Sequence, residues 1–255
     1  MQGVSECPPI LNIDLPPPLR LAFINDIEGP QNTYGHIVIR IKKHIRVRKS
    51  RHSQIVLVEI ERATGATCPV KQQVVAKFFD PLFVPVDELP DDDSPEELKQ
   101  VVTNHYSAQE AAAYSSLSSI QGSVVPIFYG EFACHFADRP AESDRSVKVI
   151  LIEYIDGWPL SWYSPGELTE SQAHWIALQT EAIVHQIHSH RVVHGDLGLR
   201  NFLLTKQRRM VLVDFEESQV LNGKNEFSPE SLKEDDFIVL GGELEYYRLR
   251  RDDDS

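Results

Sequence analysis

The stretch VVHGDLGLRNFLL, residues 192–204, followed by the polar TKQRR and then by MVLVDFEES, residues 210–218, decides how this chain is read. It sets an acid, Asp196, then an amide, Asn201, then a second acid, Asp214, among short apolar runs. Phosphoryl transfer uses this inventory: a carboxylate that orients or deprotonates a hydroxyl nucleophile, and oxygen ligands that hold Mg²⁺ against phosphates. An isolated His-Gly-Asp would be a turn cap and an isolated Asp-Phe-Glu a strand end. Their spacing, with strand-like runs on both sides, gives the combination its meaning.

Upstream, residues 168–190 form one long helical pattern, with Trp175, Ile176, Ile183 and Ile187 among its apolar positions and Thr169 placed as a cap. Before it, the chain is sheet-led. Residues 54–60 (QIVLVEI) and QQVVAKFFDP predict a strand hairpin closing at Pro81, and residues 124–132 and 147–154 are also strand-like. An antiparallel sheet of about five strands results, within the usual range. Ser94-Pro95 marks a helix start, and helical spacing runs from Glu96 to about Leu117, with a break predicted near Ser107. Residues 1–36, with Pro8-Pro9 and Pro16-Pro17-Pro18, show no sustained period and read as an extended arm.

The 255 residues are 42% hydrophobic, enough to bury a core, and carry a formal net charge of −13. That charge argues against gripping a polyanion such as nucleic acid. One segment runs the other way: residues 36–52, HIVIRIKKHIRVRKSRH, hold seven of the 25 Lys and Arg and no acid. Ile37, Ile39 and Ile41, then Ile45 and Val47, alternate there with basic residues, the pattern of a half-buried strand with a solvated basic face. Its functional reading is a cationic lip over an anionic ligand. Cys7, Cys68 and Cys134 are too few for a disulfide framework and fit a reducing compartment. No apolar run approaches the ~20 residues of a membrane helix, and the start lacks the pattern of a signal peptide. The expectation is a soluble protein with no membrane partner, intracellular, in cytoplasm or nucleus.

HGDLGLRN, residues 194–201, with VDFEES from Val213, resembles the H-x-D-x-x-x-x-N catalytic loop and D-F-G segment of the protein-kinase-like superfamily. Its H-G-D form is similar to aminoglycoside-phosphotransferase relatives and to small kinase-like proteins common in fungi. The resemblance implies an α+β, two-lobed fold: residues 37–153 a mainly antiparallel β lobe, residues 154–255 a short α-helical lobe, nucleotide between them. It implies ATP and Mg²⁺ as cofactors and a hydroxyl-bearing acceptor, protein or small molecule. Asp196 takes the catalytic carboxylate's place, with Arg200 beside the phosphates; Asn201 and Asp214 become the metal ligands, and His194 packs against Phe215. In VVAKFFD, Lys77 would meet the α- and β-phosphates, steadied by a helix carboxylate, Glu110, although Glu96 and Glu97 share that helix. ILIEYIDGWPL matches the hinge, with Ile152 as gatekeeper and the Glu153 carbonyl and Ile155 amide facing the adenine edge, while Val75 and Leu203 sandwich the ring.

The sequence also departs from the family pattern. No glycine stands in IRVRKSRHS, residues 45–53, where a G-x-G-x-x-G loop is expected, so backbone amides cannot approach phosphates as closely. Either Arg46, Arg48, Lys49 or Arg51 supplies point charges instead, or the loop has lost its grip and the chain is a pseudokinase, a binding module without catalysis. Gly195 replaces an Arg that pairs with an activation-loop phosphate, and Glu216 replaces the glycine of D-F-G. Ser228-Pro229-Glu230 and Asp236 faintly resemble an A-P-E motif and the following helix. Two functions therefore compete, phosphotransferase and pseudokinase; a basic-arm nucleic-acid binder is a third, resting on residues 36–52 alone.

Overall fold

The computed structural model describes residues 19–23, 36–47, 52–64, 69–85, 95–135, 146–221 and 229–249. Six strands make a closed antiparallel barrel: β1 (Leu19–Phe23), β2 (His36–Arg46), β3 (Gln54–Thr64), β4 (Gln73–Phe79), β5 (Phe128–His135) and β6 (Val147–Glu153), in the order β1-β2-β3-β4-β6-β5. Leu19–Phe23 thus belongs to the sheet, pairing Leu19 with Ile39 and Phe23 with Phe132, although the stretch reads as an arm. Five residues directly after three prolines are too short a run for period to outweigh composition.

Alternation on β4 divides the sheet lobe. Val74, Ala76 and Phe78 enter the barrel core with Ile37, Ile39, Ile41, Val58 and Val149, while Phe79 joins the second core with Ile150 and Ile152. Lys77 shares the outer face. α1 (Pro95–Ser116) packs there and buries Thr103, Ser107, Glu110 and Tyr114, spaced by four, three and four residues along one face. The helix is continuous, with no break at Ser107. That hydroxyl finds a tertiary acceptor in the Glu131 carboxylate, so it does not compete for the helix backbone.

The second lobe is led by α2 (Glu170–Ser189), whose start is a capping box: the Gln172 amide donates to Thr169 Oγ1 at 3.3 Å and the Thr169 amide to Gln172 Oε1 at 2.8 Å. β7 (Gly157–Pro159), β9 (Phe202–Thr205) and β10 (Met210–Leu212) form a small sheet, and β8 (Val192–Val193) pairs with β11 (Gln219–Val220). α3 (Pro229–Leu249) packs on α2, its Leu240 and Leu244 in the core. This is the mixed α+β, kinase-like architecture with an antiparallel N-terminal lobe. Among the described residues, no helix is long and apolar enough to cross a membrane.

Candidate active site

Between the lobes lies a cleft of about 430 Å³. Val75, Ile152, Ile155 and Leu203 supply apolar walls, and Lys77, Arg200, Asn201 and Asp214 supply its polar end. Cross-strand pairing explains the sheet wall: Arg46, Ile55, Lys77 and Ile150 are successive register partners on four neighbouring strands, so their side chains share one face. The next such row holds Lys43, Leu57, Val75 and Ile152.

Lys77 is 2% exposed, and its ammonium meets three carboxylates: Glu110 Oε2 at 2.6 Å, Asp214 Oδ1 at 2.6 Å and Glu216 Oε2 at 3.3 Å. Glu110 is the helix partner; Glu97 is exposed in the first turn of α1, where Glu96 pairs with Lys99 at 2.8 Å. Burial alone would lower the Lys77 pKa, but Asp214, Glu110 and Glu216 outweigh it and hold the ammonium well above its ordinary value. Burial pushes Glu110 up to about 7, with Lys77 pulling the other way. Asp214 is held below the usual carboxylate range: burial would raise it, and Lys77 and Arg46 more than offset that. Asp214 also takes φ 72°, the left-handed region that a side-chain-bearing residue enters at a cost of ~1–3 kcal/mol, accepted here where its carboxylate must face Lys77.

Arg46, at the end of β2, is the second cation. Its Nη1 donates to Asp214 Oδ2 at 3.1 Å, its Nη2 donates to Ser53 Oγ at 3.1 Å, and Nη2 lies 3.7 Å from Glu216 Oε1. Ser53, fully buried, donates in turn to Glu216 Oε2 at 2.6 Å. Arg48, Lys49 and Arg51, named with Arg46 as substitutes for glycine-loop amides, lie outside the described residues. Elsewhere on β2, Arg40 and Lys42 are answered by Glu61 and Glu59 of β3, as a solvated basic face would be. Ile45 and Val47, expected to point inward, are 49% and 43% exposed: Ile45 is the extra residue at a register shift between His44 and Arg46, and Val47 follows the last residue of β2.

The loop from His194 to Asn201 is held from behind. Asp236 of α3 accepts from the His194 amide at 2.9 Å and the Gly195 amide at 3.1 Å, and its Oδ2 lies 2.9 Å from His188 Nε2 of α2. The His194 ring packs against Phe215 at 4.9 Å, and its Nε2 lies 3.1 Å from Val213 O; burial lowers its pKa. Gly195 has φ +77°, and a β-carbon there would sit 2.3 Å from Glu217 O, so the replacement of an arginine by glycine follows from backbone geometry.

Asp196 pairs with Arg200 and borders a neighbouring cavity of about 390 Å³, with Gln219 and Asp235; Arg200 lines both spaces. Asn201 Nδ2 donates to Asp196 O at 2.8 Å, which leaves its carbonyl oxygen to accept or ligate. Asn201 and Asp214 thus offer hard oxygen donors of the kind Mg²⁺ prefers. Glu153 lines the hinge side of the cleft, and its carboxylate clasps Arg209 bidentately at 2.7 and 3.1 Å and accepts from the Ile127 amide at 3.1 Å. Arg46, Ser53 and Glu216 as an interacting set, and the Glu153–Arg209 clasp, are additions of the structure. The only sequence signal for the first was the basic run ending at the strand.

Comparison with known proteins finds kinase-like relatives over part of the chain. Residues 142–227, which include β6, the loop from His194 to Asn201 and β11, match the ABC1 atypical kinase-like domain. The chain is 36% identical over 75 residues to serine/threonine-protein kinase 36 of Pongo abelii, covering 29% of this chain and 6% of that protein. It is 25% identical over 101 residues to serine/threonine-protein kinase 1 of Heliothis zea nuclear polyhedrosis virus, covering 36% of this chain and 38% of that protein. The matches are partial on both sides. Over the matched region and in its fold, the chain is protein-kinase-like, as the catalytic-loop motif implies.

Proposed function

We propose that this kinase-like cleft binds Mg-ATP and transfers the γ-phosphoryl group to a hydroxyl acceptor, a protein Ser/Thr or a small molecule. The observation that carries the reading is the meeting of Lys77 with Glu110 and Asp214 at the polar end of an apolar-walled cleft. Val75 and Leu203 would sandwich the adenine, and the backbone at Glu153 and Ile155 would meet its edge. Lys77, steadied by Glu110, would turn from Asp214 toward the α- and β-phosphates. Mg²⁺, held by Asn201 and Asp214, would neutralise charge on the phosphate oxygens. Asp196 would take the acceptor's proton as the acceptor oxygen bonds the γ-phosphorus and the bond to the β–γ bridging oxygen breaks, releasing ADP. Arg200, paired with Asp196 and open to the cleft, would hold that carboxylate and face the transferring group.

We keep residues 37–153 and 154–255 as the two lobes, with Leu19–Phe23 added to the first, and place the activity inside the cell. Calorimetric titration with ATP, with and without Mg²⁺, followed by turnover of Asp196→Asn, tests the reading. Mg-dependent binding together with a ~10²- to 10⁴-fold lower rate in the variant is expected. No Mg-ATP binding refutes it. Binding with equal, negligible turnover in both proteins favours the pseudokinase, the second reading, which the missing glycine loop and the occupation of Asp214 by Arg46 support.

A further inference from the structure

Asp214 is the carboxylate that a metal would need, yet both its oxygens are engaged by cations of the chain: Oδ1 by Lys77 at 2.6 Å and Oδ2 by Arg46 at 3.1 Å. Lys77 is the lysine that the family resemblance expects in such a cleft. Arg46 is not expected there, because it comes from the strand end where a glycine-rich turn would otherwise start. Three observations make its position a built one. Register shifts at Lys42 and Ile45 return Arg46 to the cleft face, paired across the sheet with Ile55 and so in the row of Lys77. Ser53, fully buried, accepts from Arg46 Nη2 and donates to Glu216, fixing the guanidinium's second prong. Glu216, 6% exposed, stands where a glycine would offer no charge, and Arg46 lies 3.7 Å from it. Beyond these, Arg46 Nε is buried with no hydrogen-bond partner among the described residues, a donor left for an anion.

We infer that Arg46 is a tethered cation that competes with divalent metal for Asp214, so that metal entry requires the guanidinium to leave Oδ2. A carboxylate oxygen held by a charge-assisted, geometrically fixed donor is a poorer metal ligand than a free one. Released from Asp214, the same guanidinium carries its positive charge toward the phosphates, the task that glycine-loop amides perform elsewhere. The cleft would then hold nucleotide with less dependence on metal than one that relies on Mg²⁺ for all its charge neutralisation.

This inference rests on Asp214 as the metal ligand of the proposed nucleotide cleft, and the experiment separates the two. Mn²⁺ alone, without nucleotide, is titrated into the full chain and its Arg46→Ala, Arg46→Lys and Lys43→Ala variants, with free Mn²⁺ read by electron paramagnetic resonance. Arg46→Ala should bind Mn²⁺ roughly tenfold more tightly, the scale of one lost charge-assisted contact at a partly exposed site. Arg46→Lys, which keeps the charge but cannot reach Asp214 and Ser53 together, should fall between. Lys43→Ala removes a charge that lines the same cleft and should change Mn²⁺ affinity by less than about twofold. In a second titration, with ADP and a chelator present, Arg46→Ala should bind more weakly than the parent. Unchanged Mn²⁺ affinity in Arg46→Ala, or an equal gain in Lys43→Ala, overturns the inference. So does the absence of Mn²⁺ binding by every protein. Should the parent take up no Mg-ATP, the function falls separately while the Mn²⁺ comparison still decides the role of Arg46.

Discussion

Replacing Lys77 by Met tests the electrostatics at the centre of the cleft, because methionine retains the apolar stem and removes only the charge. Glu110, fully buried, then loses its only ion-pair partner among the described residues, while Asp214 and Glu216 still face Arg46. Removing one partner of a buried pair costs ~3–5 kcal/mol, and the lower end applies because Glu110, at about 7 already, can escape by taking a proton. About 3 kcal/mol lowers Tm by roughly 6–12 °C in a domain of this size. The sign of the pH dependence follows from the same group. A carboxyl whose folded pKa is raised contributes stability that is present below its unfolded value of 4.5 and lost as pH rises through the folded value. In the parent that loss levels off above about 7; without Lys77 the folded pKa climbs further, and the loss continues at up to ~1.4 kcal/mol per pH unit. The melting gap between parent and variant should therefore widen from pH 7 to pH 8.5. Adding Glu110→Gln to Lys77→Met should remove that widening. Calorimetric melting at both pH values reads all of this. A gap that stays constant with pH, or that the second substitution leaves unchanged, refutes the assignment of the penalty to Glu110.

Two further substitutions probe the supports of the site. Gly195→Ala meets both φ +77° and a carbonyl 2.3 Å from the new β-carbon, so it should lower the denaturant midpoint by a shift equivalent to ~1–3 kcal/mol and impair turnover; stability within ~0.5 kcal/mol of the parent would show that the loop relaxes freely. A double-mutant cycle on Glu153→Ala and Arg209→Ala should give a coupling of ~0.5–1 kcal/mol, since the clasp is bidentate but part-exposed, and additive losses would show that the pair does not tie the hinge to the β9–β10 turn.

What could be read from the chain alone was local or motif-borne. His194 to Asn201 announced a kinase-like chain because its motif lies within eight residues, and the α2 cap was legible because Thr169 and Gln172 are three apart. Lys77 and Glu110 were readable as a pair only through family resemblance; no periodicity brings a strand lysine to a particular helix glutamate. The inward direction assigned to Ile45 and Val47 failed because a register shift set by pairing with β3 falls at Ile45 and the strand ends at Arg46, neither of which a period-2 reading can see. The break predicted at Ser107 failed for a similar reason: its acceptor, Glu131, is 24 residues away.

Two departures from the family pattern that look independent along the chain are joined in the structure. The stretch after β2 lacks glycine, and the glycine of the D-F-G segment has become Glu216. Yet Glu216 accepts from Ser53 at 2.6 Å and lies near Arg46, so the added carboxylate anchors the strand ends that flank the glycine-free turn. A glycine at 216 would leave the buried Ser53 hydroxyl without its acceptor and Arg46 with Asp214 alone. The two changes are joined by a side-chain clamp built of Arg46, Ser53 and Glu216. It follows that the two departures reverted together should cost less than the sum of the two reverted singly, which is the signature of one device and not of two losses.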